Sequence, residues 1–126
     1  MKTVGIMAGL GPLAGAHFYR RLIELTASTE DCGHLSVRLW SIPDIPSRID
    51  HLRGRGPSPV PALVNIAQGL ITAGAQLLVI PSSTTYYYYK DIMAAVSVPV
   101  LNLMTEVALT MSETHAYRIA ILATTI

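Results

Sequence analysis

Short apolar runs alternate along the chain with longer stretches in which apolar residues return every three or four positions. Residues 3–8 are a short apolar run and predict a first strand. Ala16, Tyr19, Leu22, Ile23 and Thr26 then recur at helical spacing and predict a helix over about 12–27. Pro12 suits its first turn, where a missing N–H costs nothing. Residues 35–40 alternate well enough for a second strand. Residues 41–61 are proline-rich, carry Arg48, Arg53 and Arg55, and predict a long loop with at most one helical turn. Connections of that length are uncommon in compact domains and often functional. A helix over 60–72 should end at Gly74, a residue suited to a C-terminal cap. A third strand over 76–81, a helix over 85–95, a fourth strand over 98–103 and a helix over 105–113 follow. Residues 118–123 begin a fifth strand. Strands separated by helices imply an α/β fold: a parallel four- to five-stranded sheet with helices on both faces. A parallel strand ordinarily leads into another helix, so residues 118–126 read as a strand cut short, or else as one that closes the sheet edge.

Composition adds an expectation about surface. The 126 residues suffice for one domain with a real core. Only 13% are charged, against about 25% in ordinary soluble domains. With 51% hydrophobic residues, part of the surface is expected to be covered by a partner subunit or second domain, and a homo-oligomer is the simplest form. The net charge of +1 provides no field for nucleic acid or an acidic membrane. No apolar run approaches the 18 or so residues of a membrane span. Cys32 is the single cysteine, which rules out an internal disulfide and a cysteine-based metal site and fits a cytoplasmic setting.

Three places could carry chemistry. Gly9-Leu10-Gly11-Pro12-Leu13-Ala14 fits G-x-G-x-x-A at a strand-to-helix junction. Dinucleotide binding also wants an acid at the end of strand two, where Leu39-Trp40-Ser41 stands; Glu30 and Asp31 lie at that strand's other end. A bare glycine turn and an anion site built from backbone N–H groups remain open. The second place is Arg48, whose guanidinium could hold a carboxylate through two parallel hydrogen bonds or simply be solvated. The third is Ser82-Ser83-Thr84-Thr85 followed by Tyr86 to Tyr89, just past the predicted third strand. Ligands of open parallel sheets bind there; the hydroxyls could equally cap a helix and the tyrosines pack as a band. Tyr86 and Lys90 share a helix face by spacing, open to a proton relay or a plain surface pair.

In order, these segments resemble the N-terminal domain of the aspartate/glutamate racemase family. Met1-Lys2-Thr3-Val4-Gly5-Ile6 with Gly9-Leu10-Gly11-Pro12 is similar to that family's first strand and turn. Ile45-Pro46-Ser47-Arg48 resembles its Ile-Pro-Asp-Arg segment, and Pro81-Ser82-Ser83-Thr84-Thr85-Tyr86 lies where it has Pro-Cys-Asn-Thr-Ala-His. Leu122-Ala123-Thr124-Thr125 resembles the strand opening its second domain. The resemblance implies an amino-acid racemase, needing neither pyridoxal phosphate nor any other cofactor or metal, in which two cysteines, one per domain, remove and return the α-proton. It implies residues 1–117 as an N-terminal domain and 118–126 as the opening of a second. Ser82 takes the position of the first catalytic cysteine, Arg48 binds the substrate carboxylate, and Leu10, Gly11, Ser83, Thr84 and Thr85 line the site. The expected ligand is a small carboxylate or acidic amino acid. A serine hydroxyl ionises many units above a thiol and needs a partner base, so this chain alone is expected to be impaired. A non-catalytic carboxylate-binding module is the alternative.

Overall fold

The computed structural model describes residues 2–115 and 118–122. Strand β1 (Val4–Ala8) is central, with β2 (Val37–Ser41) on one side and β3 (Leu77–Val79) on the other, all parallel. Val4 sits opposite both Val37 and Leu77. The strands therefore start level and deliver residues 8–12, 41–48 and 80–85 to one edge of the sheet. Helices α1 (Pro12–Leu25) and α3 (Val60–Thr72) connect the strands. A short α2 (Arg48–Leu52) lies in the proline-rich connection. A 3-10 turn (Thr84–Tyr88) runs into α4 (Tyr89–Ala94), and α5 (Leu103–Glu113) comes last.

Strand alternation divides the core in two. Val4, Ile6 and Ala8 point to one face with Val79 and meet Phe18 and Leu22 of α1. Met7 points to the other, with Leu78 and Ile80, against α3 and α4. On α3, Leu63, Ile66, Ala67 and Leu70 are buried at i, i+3, i+4, i+7, one apolar stripe. Each leucine so enclosed contributes about 1.5–3 kcal/mol. Gly69 leaves room on α3 for the ring of Trp40. Gly15 does the same for α1, since a Cβ there would come within 2.5 Å of Ala8 Cβ. That close approach sets the start of α1 directly over the end of β1.

The α/β class and the parallel sheet with helices on both faces are as the pattern predicts; the strand count is lower. The expected fourth strand is reduced to one bridge, Leu78 to Val100. Leu78 N donates to Pro99 O and Leu101 N to Leu78 O, each at 2.9 Å, and the pairing stops there. Pro99 has no N–H to extend it. Asn102 then caps α5, its side-chain oxygen accepting from Met104 N and Thr105 N. Of the expected fifth strand, residues 118–122 form no ladder, and Ala123 lies outside the described residues.

Candidate functional site

The site begins where β1 ends. Gly9 has φ +87, and a Cβ there would run into the backbone of Ile42. Only glycine fits, on both counts. The chain then turns through Leu10, whose side chain is buried in the core while its carbonyl accepts side-chain hydrogen bonds. Gly11 caps α1, with Pro12 in its first turn.

Two of the sequence-predicted residues converge on that Leu10 carbonyl. Arg48 Nη2 donates to it at 2.7 Å and Ser82 Oγ at 2.8 Å. Thr85, fully enclosed, donates its hydroxyl to Ser82 Oγ at 2.9 Å. Ser82's own hydrogen is thus committed to a backbone carbonyl, and its side-chain partner is another hydroxyl. Among the described residues, no imidazole, amine or carboxylate bonds to it.

Arg48 opens α2, where the Ser47 hydroxyl accepts from Asp50 N at 3.2 Å and caps the turn. Its guanidinium is half-buried, its Nε is enclosed without a hydrogen-bond partner, and no carboxylate pairs with it among the described residues. Burial pushes its pKa below the usual arginine value, opposed by the nearby Tyr88. A partly desolvated cation lacking a counter-ion is costly unless something anionic meets it.

Around the Leu10 carbonyl the expected site residues separate into two concavities. Gly9, Arg48 and Thr84 border a cleft of about 220 Å³ whose other walls include Pro43, Ile45 and Ile49. Ser82 and Ser83 instead border a cavity of about 410 Å³ beneath α1, between His17, Phe18 and Leu101. Ser83 therefore does not share Arg48's cleft, and Thr85 supports Ser82 from within the core. Tyr86 is committed elsewhere: its hydroxyl donates to Leu101 O at 3.0 Å and accepts from Leu103 N at 3.1 Å. Its bonds run to the 101–103 backbone, which leaves the Tyr86–Lys90 relay without the hydroxyl it needs. Cys32 is exposed on the turn before β2, at the other end of the sheet.

Sequence reasoning missed His51 and singled out Tyr88 only as one of a run. His51 Nδ1 lies 2.8 Å from the Tyr88 hydroxyl, which also donates to Arg48 O at 3.3 Å. The available signal was spacing: Arg48 and His51 are three apart on α2 and so share a face.

Residues 7–126 match the family profile described as Asp/Glu/Hydantoin racemase. The chain belongs to this racemase family. It is 27% identical over 112 residues to the broad specificity amino-acid racemase RacX of Bacillus subtilis, an alignment covering 82% of this chain and 46% of RacX. Its fold is similar to that of the Picrophilus torridus aspartate racemase, with a TM-score of 0.82 at 27% identity, over 90% of this chain and 48% of that one. An aspartate racemase homologue from Pyrococcus horikoshii shares the fold at TM-score 0.74 and 24% identity, over 90% of this chain and 50% of that one. The racemase-family chain thus spans about half the length of the relatives it matches.

Proposed function

We propose that this chain forms the carboxylate-holding face of an aspartate/glutamate-type amino-acid racemase that works without pyridoxal phosphate, in the cytoplasm and as a homo-oligomer. The observation that carries the reading is Arg48: half-buried, without a carboxylate partner among the described residues, and bound to the same carbonyl as Ser82. A substrate carboxylate would supply the missing counter-charge through charge-assisted hydrogen bonds. It would hold the α-carbon near the sheet edge from which Ser82 projects. Membership of the racemase family supports this placement.

Proton abstraction from an amino-acid α-carbon needs a base poised near neutral pH and in contact with that proton. Ser82 has a carbonyl to donate to, a threonine to accept from, and no basic partner among the described residues. As it stands, Ser82 is a poor base, and the second acid–base group of a racemase would have to come from a second domain. The chain alone is therefore inactive or weak in racemisation. The same observation on Ser82 favours a second reading, a non-catalytic module that binds small carboxylates.

Calorimetric titration with aspartate, glutamate, malate and citrate tests the shared core of both readings. Arg48→Ala should weaken binding roughly ten-fold or more, the worth of a hydrogen bond to a charged group. Unchanged affinity would remove the basis for both. Deuterium exchange at the α-carbon of bound aspartate, where it occurs, favours the racemase reading, since a pure binding module gives none.

A further inference from the structure

The proposed carboxylate site is assembled from two parts of the chain far apart in sequence, both bonded to Leu10 O. Arg48 sits on α2, a five-residue helix in which no residue is buried, flanked by proline-rich loops. Ser82, Thr84 and Thr85 sit at the exit of β3. Helix α2 packs chiefly on the 84–88 turn, and at that contact stands a polar pair. Tyr88 is buried to 2% exposure, so its ring belongs to the core, yet its hydroxyl reaches out to Arg48 O. A phenol has one hydrogen. When that hydrogen goes to Arg48 O, the 2.8 Å contact with His51 Nδ1 requires the imidazole to donate to the phenol oxygen. The chain His51 N–H, Tyr88 O–H, Arg48 C=O is then saturated in one direction. It starts and ends on α2, three residues apart, and passes through a side chain anchored in the core. The rings also touch, with centroids 5.6 Å apart and a tilt of 43°.

We infer that His51 and Tyr88 are positioning residues for Arg48: together they strap the first turn of α2 to the core and fix where the guanidinium points. Neither reaches the Arg48 cleft, and neither is a catalytic residue. The strap matters because a carboxylate is bound more tightly by a guanidinium held in place beforehand than by one that must be ordered on binding. The value of this strap to function rests on the carboxylate-binding reading of Arg48; its effect on Arg48 itself does not.

The test therefore reads Arg48 directly, without ligand. In nitrogen-15 NMR, the enclosed Arg48 Nε–Hε gives a signal identified by its loss in Arg48→Lys. Tyr88→Phe keeps the ring and removes the hydroxyl, and His51→Leu removes the donor. Each should speed solvent exchange at Arg48 Nε–Hε roughly five-fold or more, the worth of one hydrogen bond. His51→Asn offers an amide N–H in place of Nδ1–H and should return the rate close to wild type. The double variant Tyr88→Phe/His51→Leu should match Tyr88→Phe, which already removes both bonds, since His51→Leu alone leaves the Tyr88 hydroxyl on Arg48 O. Wild-type rates in Tyr88→Phe and His51→Leu would overturn the inference. So would an acceleration matched by the backbone amides of β1, which would mean general loosening. An aspartate titration of the same variants runs in parallel: wild type that fails to bind defeats the carboxylate reading, while the exchange rates still judge the strap.

Discussion

Serine 82 shows how much one atom decides. Its oxygen stands where the resemblance to racemases places a sulfur, and its hydrogen bonds hold it as a neutral hydroxyl between Thr85 and Leu10. A thiol starts near pKa 8.5 and falls further near N–H dipoles or cations, and the start of α1 and Arg48 both lie close by. Ser82→Cys should therefore raise α-deuterium incorporation into aspartate in heavy water, followed as loss of the α-proton NMR signal. With a single thiol at the site only one face of the α-carbon is served, so one enantiomer should exchange and no racemisation should accompany it. Equal exchange in wild type and Ser82→Cys, or exchange of both enantiomers alike, would mean that position 82 does not face the α-carbon. Arg48 and Ser82 were legible in the sequence because each lies in a segment with a distinctive order of residues. The Tyr88–His51 pair was not, because its partners are 37 residues apart and no local pattern announces a contact between a core phenol and a loop imidazole.

At the scale of elements, the tyrosine run departs furthest from its pattern. Residues 85–95 read as one helix, yet the chain makes a 3-10 turn first and a shorter α-helix after it. The cause is tertiary. Thr85 is drawn inward to Ser82, Tyr88 enters the core, and the Tyr86 and Tyr89 hydroxyls reach Leu101 O and Val100 O with their rings stacked 5.6 Å apart. These bonds replace the missing strand ladder and hold residues 98–103 against the sheet. Thr105 was expected to open the last helix; Asn102 moves the start back to Leu103. Desolvation raises the Tyr86 pKa, a bond from Leu103 N opposes it, and Tyr89 adds to the rise. A raised phenol favours the folded state below its unfolded pKa of about 10, and this stability is lost as pH rises through the folded value. Tyr86→Phe should thus cost about 1–3 kcal/mol at neutral pH, leaving the Leu103 N–H without its partner. Urea midpoints measured from pH 7 to 11 should then fall less steeply for Tyr86→Phe than for wild type. A parallel fall would place the Tyr86 hydroxyl in water.

Across the whole molecule, stability is distributed unevenly, and β1 lies at the firm end. β1 pairs on both sides, with both of its faces in the core, and the two concavities that Arg48 and Ser82 border open from the edge where β1 ends. Helix α5 has no buried residue, and Met104, Val107 and Leu109 are about half exposed. An eleven-residue helix anchored mainly at its N-terminus, by the Asn102 cap and the Leu103 N–H to Tyr86, is marginal in water, since isolated helices need about 12–15 residues even with favourable sequences. The low share of charged residues had suggested a covered apolar surface, and α5 is one place where such surface stands open, with Leu13, Leu25 and Tyr87 exposed elsewhere. Hydrogen exchange followed by mass spectrometry should find α5 amides opening locally, on the order of a hundred-fold faster than those of β1, which open only with the whole domain. Protection of α5 equal to that of β1 would contradict this picture of a helix anchored mainly at its N-terminus. If that protection also rose with protein concentration, the cover would be a second copy of the chain; if it did not, contacts within one chain would have to supply it.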